Sequence, residues 1–177
     1  MKTKLIVLRG QSGSGKSTVA KRLQKIVQKP LFIVEQDYYK NELISPNIDI
    51  ESSTRKSLQM KMIASNTLEL LGQGYDCIVE GNFSNSVYQT MFEELFKQHP
   101  SNNFMYYYNI SFEESLHRHK TRDKKHEFGS DEMKEWYFET PSYGHSFEKI
   151  IPEEYSLDQT VDMILQDTKL TSNWTQN

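Results

Sequence analysis

Cysteine is nearly absent from this chain: one in 177 residues, Cys77, so no internal disulfide can form. Its context, Asp76-Cys77-Ile78-Val79, reads as a strand, where a buried, inert thiol is expected rather than a nucleophile. Long apolar runs are also missing. Nothing approaches the roughly 18 residues of a membrane-spanning helix, and the run within Met1 to Leu8 is far too short for a secretion signal. A cytoplasmic protein is the expectation. The triplets Asn82-Phe83-Ser84, Asn109-Ile110-Ser111 and Asn173-Trp174-Thr175 match the glycosylation pattern but carry no meaning without secretion. Charge of one sign is lacking too: 21 Lys and Arg stand against 24 Asp and Glu, a net charge of −3. That balance argues against a protein held to nucleic acid by its overall charge. No repeat or low-complexity block divides the chain, and its length fits one domain, residues 1–177, with a substantial core.

Glycine is sparse, eight in all, yet Gly10, Gly13 and Gly15 fall within one short stretch. The stretch is Gly10-Gln11-Ser12-Gly13-Ser14-Gly15-Lys16-Ser17-Thr18, which satisfies G-x-x-x-x-G-K-[ST] at every fixed position. Its setting supports the match. Leu5-Ile6-Val7-Leu8 before it is an apolar run of strand length, suited to a parallel strand covered on both faces. After it, Val19, Leu23, Ile26 and Val27 recur at helical spacing, and Pro30 follows the end. A nucleotide's phosphates need many close donors and no side chains in the way. Glycines let the backbone turn its N–H groups inward at the positive end of a helix. Lys16 then reaches the β- and γ-phosphates, Ser17 offers its hydroxyl to Mg2+, and Thr18 the α-phosphate. Gly10, Ser12, Gly13, Ser14, Gly15, Lys16, Ser17 and Thr18 are thus the expected nucleotide-binding residues.

Beyond this loop, strand and helix patterns alternate, the signature of an α/β fold. The pattern predicts strands at 31–35, 75–80 and 104–110 and a weaker one near 147–151. Helices are predicted over 52–71, from Tyr88 to His99 and from Ser111, with a last one carrying Leu157, Val161, Ile164 and Leu165. From about Thr168 the chain reads as frayed.

In an open parallel sheet, ligands lie beyond the carboxyl ends of the strands. After the second strand comes Gln36-Asp37-Tyr38-Tyr39-Lys40, and after the third Glu80-Gly81-Asn82-Phe83. Asp37 is the candidate base, placed to accept the proton of a hydroxyl that attacks a γ-phosphate; a turn cap or a pair with Lys40 is the structural alternative. Glu80 is a candidate for the magnesium shell or a substrate hydroxyl, the alternative being a bond to the phosphate loop. Gly81 would let the chain turn out of the sheet beside a ligand. Tyr38, Tyr39, Asn82 and Phe83 fall near the presumed acceptor pocket, where the aromatic rings either stack on a planar ring or serve as packing. Further along, His117-Arg118-His119-Lys120-Thr121-Arg122 sits on or just after a helix. Arg118 and Arg122, four apart, share a face and suit a clamp on phosphoryl groups, though a basic run is also a common solvated face. The histidines there lack a set of zinc co-ligands and read as surface residues.

The loop, Asp37 and the Arg118/Arg122 pair together resemble the small P-loop kinases of the nucleoside-kinase-like group. Among them are chloramphenicol phosphotransferase, zeta-toxin kinases, gluconate and shikimate kinases, and phage-type polynucleotide kinases. Gln36-Asp37-Tyr38-Tyr39-Lys40 also resembles the matching corner of uridine kinases. The likeness spans about Lys4 to Gln166, and only the phosphate loop is specific by itself. It implies a three-layer α/β/α sandwich around a five-stranded parallel sheet in the order 2-3-1-4-5, and a helical lid over about 118–136. It also implies ATP with Mg2+, with adenine near Arg118 and the loop around Pro152 to Tyr155. The chain departs from nucleoside-monophosphate kinases, whose D-G-F-P-R corner is replaced by Glu80-Gly81-Asn82-Phe83, and from the Asp-Glu-Arg-Ser corner of deoxynucleoside kinases.

The Asn-Lys-x-Asp clamp and Asp-x-x-Gly corner of GTPases are absent, as is the Leu-Ser-Gly-Gly-Gln signature of transport ATPases. What stands is a kinase acting on a small-molecule hydroxyl. Polynucleotide 5′-kinase, which the acidity disfavours, and a non-catalytic ATP-binding regulator are the alternatives.

Overall fold

The computed structural model describes residues 2–41, 51–120, 129–137 and 143–170. Strand β1 (Leu5–Gly10) is buried along its whole length because it is the middle strand of a five-stranded sheet ordered β2-β3-β1-β4-β5. All pairings are parallel among β2 (Leu31–Glu35), β3 (Asp76–Gly81), β1, β4 (Asn103–Asn109) and β5 (Glu148–Pro152). The alternation of side chains then makes two cores. Leu5 and Val7 face one layer with Ile63 of α3 (Ser52–Gly72) and Phe92 and Leu95 of α4 (Asn85–Gln98). Ile6 and Leu8 face the other, with Val19 and Leu23 of α1 (Lys16–Ile26) and Val161 and Ile164 of α7 (Leu157–Thr168). This is the three-layer sandwich, with the strand order expected from the resemblance.

Several expected boundaries hold to within a residue or two, and the differences have local causes. Residues 36–41 form a short helix, α2 (Gln36–Asn41), where only a polar corner was read. Another helix, α6 (Ser130–Trp136), lies within the stretch where the resemblance implies a helical lid; the Glu132 carboxylate accepts from the Gly129 N–H, satisfying an orphan donor at its start. The weak fifth strand is real, an edge strand with Ile150 exposed. At the start of the stretch expected to fray, Thr168 closes α7 buried, its hydroxyl donating to the Ile164 carbonyl at 2.6 Å, and Leu170 packs into the core; residues 171–177 lie outside the described residues.

Helix α5 (Phe112–Lys120) follows β4 and turns Ser115 and His119, four residues apart, inward. His119 is therefore buried, a correction to the surface reading; His117 is exposed, and His126 lies outside the described residues. Cys77 is buried as expected, and burial pushes its thiol up to about 12, which keeps it protonated and inert. No described helix is long and apolar enough to cross a membrane.

One charge in the sheet was not foreseen. Arg9, the residue before Gly10, is wholly buried, and its guanidinium meets Glu148 of β5 at 2.6 Å with both side chains shielded from solvent. The rings of Tyr107 and Tyr143 stand 4.5 and 4.2 Å from the guanidinium carbon. Asn85 Oδ1 accepts from Arg9 at 3.2 Å, and Glu148 Oε2 accepts the Tyr143 N–H at 2.6 Å. A pair this deep costs much to strand and little to replace whole. Glu148→Ala should lower the unfolding free energy by about 3–5 kcal/mol. Arg9→Met combined with Glu148→Leu should recover most of that loss. Urea midpoints of the single and double variants check both outcomes.

Candidate functional site

A cleft of about 790 Å3 opens at the carboxyl ends of the strands. Its floor is the phosphate loop, where Gly10, Gly13 and Gly15 all take positive φ. Gly13 is required twice over: φ is 83°, and a Cβ would stand 2.7 Å from the Ser115 carbonyl oxygen, because α5 packs directly on the loop. Gly15 leads straight into α1, so the first N–H groups of that helix point toward the cleft. Gly10 ends β1 beneath the loop, and the residues from Ser12 to Thr18 line the cleft.

Lys16 is buried, its ammonium donating to Gln11 O at 2.7 Å, Ser14 Oγ at 3.1 Å and Asn82 Oδ1 at 3.1 Å. Ser17 Oγ donates to Glu80 Oε1 at 2.7 Å. Glu80 is buried, and loss of solvation raises its pKa, opposed by Lys16 and by the Ser17 hydroxyl. Here the bond to the phosphate loop, one of the roles weighed for Glu80, is the one formed. The same pair of hard oxygen donors suits a magnesium ion. No group of three or more His, Cys, Asp or Glu among the described residues forms a metal cage.

Asp37 stands on the first turn of α2, exposed and lining the cleft, opposite Glu80, Gly81 and Asn82. Its carboxylate makes no hydrogen bond or ion pair with any described residue, so the pair with Lys40 is not formed. The aromatic residues beside these corners behave differently. Phe83 is wholly buried against Tyr88 and Phe92, ring centroids 5.1 and 5.0 Å away. Tyr39 is buried in the same core, its hydroxyl accepting from Asn66 at 2.6 Å, and Tyr38 is half exposed on the outer side of α2. None of the three is among the residues that line the cleft, and of the two roles weighed for the rings Phe83 and Tyr39 take the packing one here. The helical turn of α2 and the start of α4 swing these rings away from the strand ends.

Arg118 does line the cleft, as a strap. Its guanidinium donates to Glu114 Oε1 at 2.6 Å, Ser14 O at 3.1 Å and Glu153 O at 2.7 Å. The strap ties the phosphate loop to the loop after β5, whose Pro152, Tyr155 and Leu157 form an apolar wall. Glu153 is held in turn by the N–H and hydroxyl of Ser111, both at 2.9 Å, bonds that lower its carboxyl pKa. Arg122 lies outside the described residues, with the rest of 121–128 from the expected lid over about 118–136. Two residues of the site escaped the sequence reading. Gln36 joins the corners after β2 and β3, and Tyr108 of β4 lines the cleft with a buried hydroxyl that has no hydrogen-bond partner among the described residues. Only the crowding of Tyr106, Tyr107 and Tyr108 at the end of that strand hinted at the second.

The sheet order and the glycine loop define the class: a P-loop kinase fold. The chain belongs to the family described as an AAA domain, whose model matches residues 5–137. No curated protein matches the sequence. Among solved structures, a sugar kinase from Janibacter sp. HTCC2649 is similar with a TM-score of 0.70 at 16% identity, covering 97% of this chain and 99% of that one. A gluconokinase from Sinorhizobium meliloti 1021 gives 0.69 at 16% identity over 95% and 93%. The APS kinase of Mycobacterium tuberculosis in complex with AMPPNP and APS gives 0.65 at 12% identity over 93% and 96%. At such identities the likeness establishes the fold.

The direction of the Glu80 shift has a consequence for stability. Its pKa is raised above the ordinary 4.5, so the folded protein holds that proton more tightly than the unfolded chain. Stability from this group is full below about pH 4.5 and declines as pH rises toward the folded value. Glu80→Gln, uncharged throughout, should melt higher than wild type at about pH 7, with the gap closing by about pH 4. Thermal melts at both pH values check this.

Proposed function

We propose that this chain is an ATP-dependent kinase that transfers the γ-phosphoryl group to a hydroxyl of a small-molecule acceptor. The observation that carries the reading is the meeting, in one cleft, of the phosphate loop, an ionisable carboxylate free of any described partner at Asp37, and the Ser17–Glu80 oxygen pair. The sugar kinase and gluconokinase among the similar structures support a small-molecule acceptor. So does the acidic overall charge, in a single kinase domain spanning residues 1–177. Bound Mg2+ and ATP supply the electrophilic γ-phosphorus; Ser17 and Glu80 are the residues that would hold the ion.

The protein's own work is positioning and charge. Loop N–H groups and Lys16 hold the phosphates, with Thr18 at the α-phosphate, and Asn82 and Asp37 face the acceptor. As the acceptor oxygen bonds to phosphorus, the bond to the β,γ-bridging oxygen breaks, and the acceptor's proton passes to Asp37. Arg118, with Arg122 on the lid over about 118–136, closes the phosphate side and excludes water that would compete as acceptor. Pro152 and Tyr155 are the residues that would hold the base end of the nucleotide. A cytoplasmic location suits this ATP-dependent chemistry.

An ATP-consumption screen over nucleosides, sugars, nucleotide-sugars, antibiotics and 5′-hydroxyl oligonucleotides tests the reading and names the acceptor. With that acceptor, Lys16→Ala should nearly abolish turnover while the fold survives; full turnover would refute the phosphate-loop assignment. Asp37→Asn should leave MgATP affinity within about twofold and slow single-turnover transfer by about 10²-fold, the low end for a general base because a loose transition state demands little deprotonation. A wild-type rate would remove Asp37 from the mechanism.

A further inference from the structure

The last backbone pair between β2 and β3 sets Glu35 opposite Glu80, and beyond it the two chains separate into the corners that carry Asp37 and Asn82. A side chain continues the ladder where the backbone stops. Gln36 is 6% exposed; its Oε1 accepts the Asn82 N–H at 2.7 Å and its Nε2 donates to the Tyr88 hydroxyl of α4 at 2.6 Å. It fits only because residue 81 is glycine. A Cβ there would stand 2.5 Å from Gln36 Cβ and 2.5 Å from its Oε1, a clash that no rotamer of Gln36 relieves. The glycine thus serves close approach, at an ordinary φ, rather than a turn toward a ligand as its position in the sequence suggested. Asn82 in turn accepts from Lys16 at 3.1 Å.

One buried amide therefore links three parts of the cleft: the residue before Asp37, the backbone of Asn82, and through Asn82 the lysine of the phosphate loop. We infer that Gln36, seated against Gly81, is a positioning residue that sets the distance between the Asp37 carboxylate and the phosphate site. The inference rests on the reading of Asp37 as the group that receives the acceptor's proton. Gln36 touches neither nucleotide nor acceptor. It acts by denying the two corners freedom to spread, and a misplacement of about 1 Å costs roughly 10²-fold in rate.

The test uses the acceptor found by the screen and three variants of the full chain. Gln36→Leu removes both hydrogen bonds, Gly81→Ala forces the corners apart while leaving the amide in place, and Tyr88→Phe removes only the far anchor. Gln36→Leu and Gly81→Ala should each lower kcat by roughly 10- to 100-fold with MgATP affinity changed less than about threefold, and Tyr88→Phe should lower kcat by a few-fold. Ile63→Val, a core change on α3, controls for stability: it should lower the melting temperature and leave kcat unchanged. If Gln36→Leu does not fold, the other two variants carry the test. Wild-type kcat in folded Gln36→Leu or Gly81→Ala, or loss of kcat only in proportion to the unfolded fraction, overturns the positioning role and leaves the kinase reading standing. A wild-type protein that transfers phosphate to no acceptor overturns both.

Discussion

A positive charge buried at the centre of the sheet is the constraint to which the rest of the molecule conforms. Arg9 occupies the last side-chain-bearing position of β1 before the glycine loop, on the face where Leu5 and Val7 pack into oil. An unpaired guanidinium there would be prohibitive. Its partners arrive from four places: Glu148 opens β5, Tyr107 lies in β4, Asn85 starts α4, and Tyr143 precedes β5 in the chain. Each is thereby tied to the central strand. Tyr143 passes the restraint on, its hydroxyl donating to Ser84 O at 3.0 Å beside the buried Phe83. One buried ion pair thus sits at the heart of the platform under the phosphate loop, though apolar residues of equal volume would recover most of its stability.

Above that platform the cleft is divided by charge. Lys16 and Arg118 reach it from opposite sides of the loop, one bonded to Gln11, Ser14 and Asn82, the other to Ser14 and Glu153. Lys16 rests on carbonyl, hydroxyl and amide oxygens, and Arg118 on two carbonyls and the Glu114 carboxylate. Asp37 and Glu80 face them from the neighbouring corners, and their environments differ. Glu80 is buried with a raised pKa beside Ser17, whereas Asp37 is exposed at a helix start.

The glycine loop was legible because its chemistry is local: the positive φ values at Gly13 and Gly15 and the helix that follows are encoded within a few residues. The helical period of α3 and α7 and the apolar run of β1 were legible for the same reason, and the corner after each strand follows from where a strand ends. Asp37 and Glu80 were found in this way. The directions of their neighbours were not, because Tyr38, Tyr39 and Phe83 are equally close to a strand end in the sequence yet turn away from the cleft. What turns them is the unforeseen helix α2 and the packing of α4, with Phe83 locked against Phe92.

Sequence alone thus determined a nucleotide-phosphate site on a parallel α/β sheet and the two acidic corners beside it, since backbone dihedrals and side-chain periodicity are properties of short segments. Tertiary structure decided which side chains fill the cleft and which support it. Arg9 meets a carboxylate 139 residues away, Gln36 a phenol 52 residues away, and Arg118 a carbonyl of the phosphate loop 104 residues away. No local pattern marks these pairs, because a buried polar group is stable only with its partner in place, and that partner is supplied by the register of strands and the packing of helices.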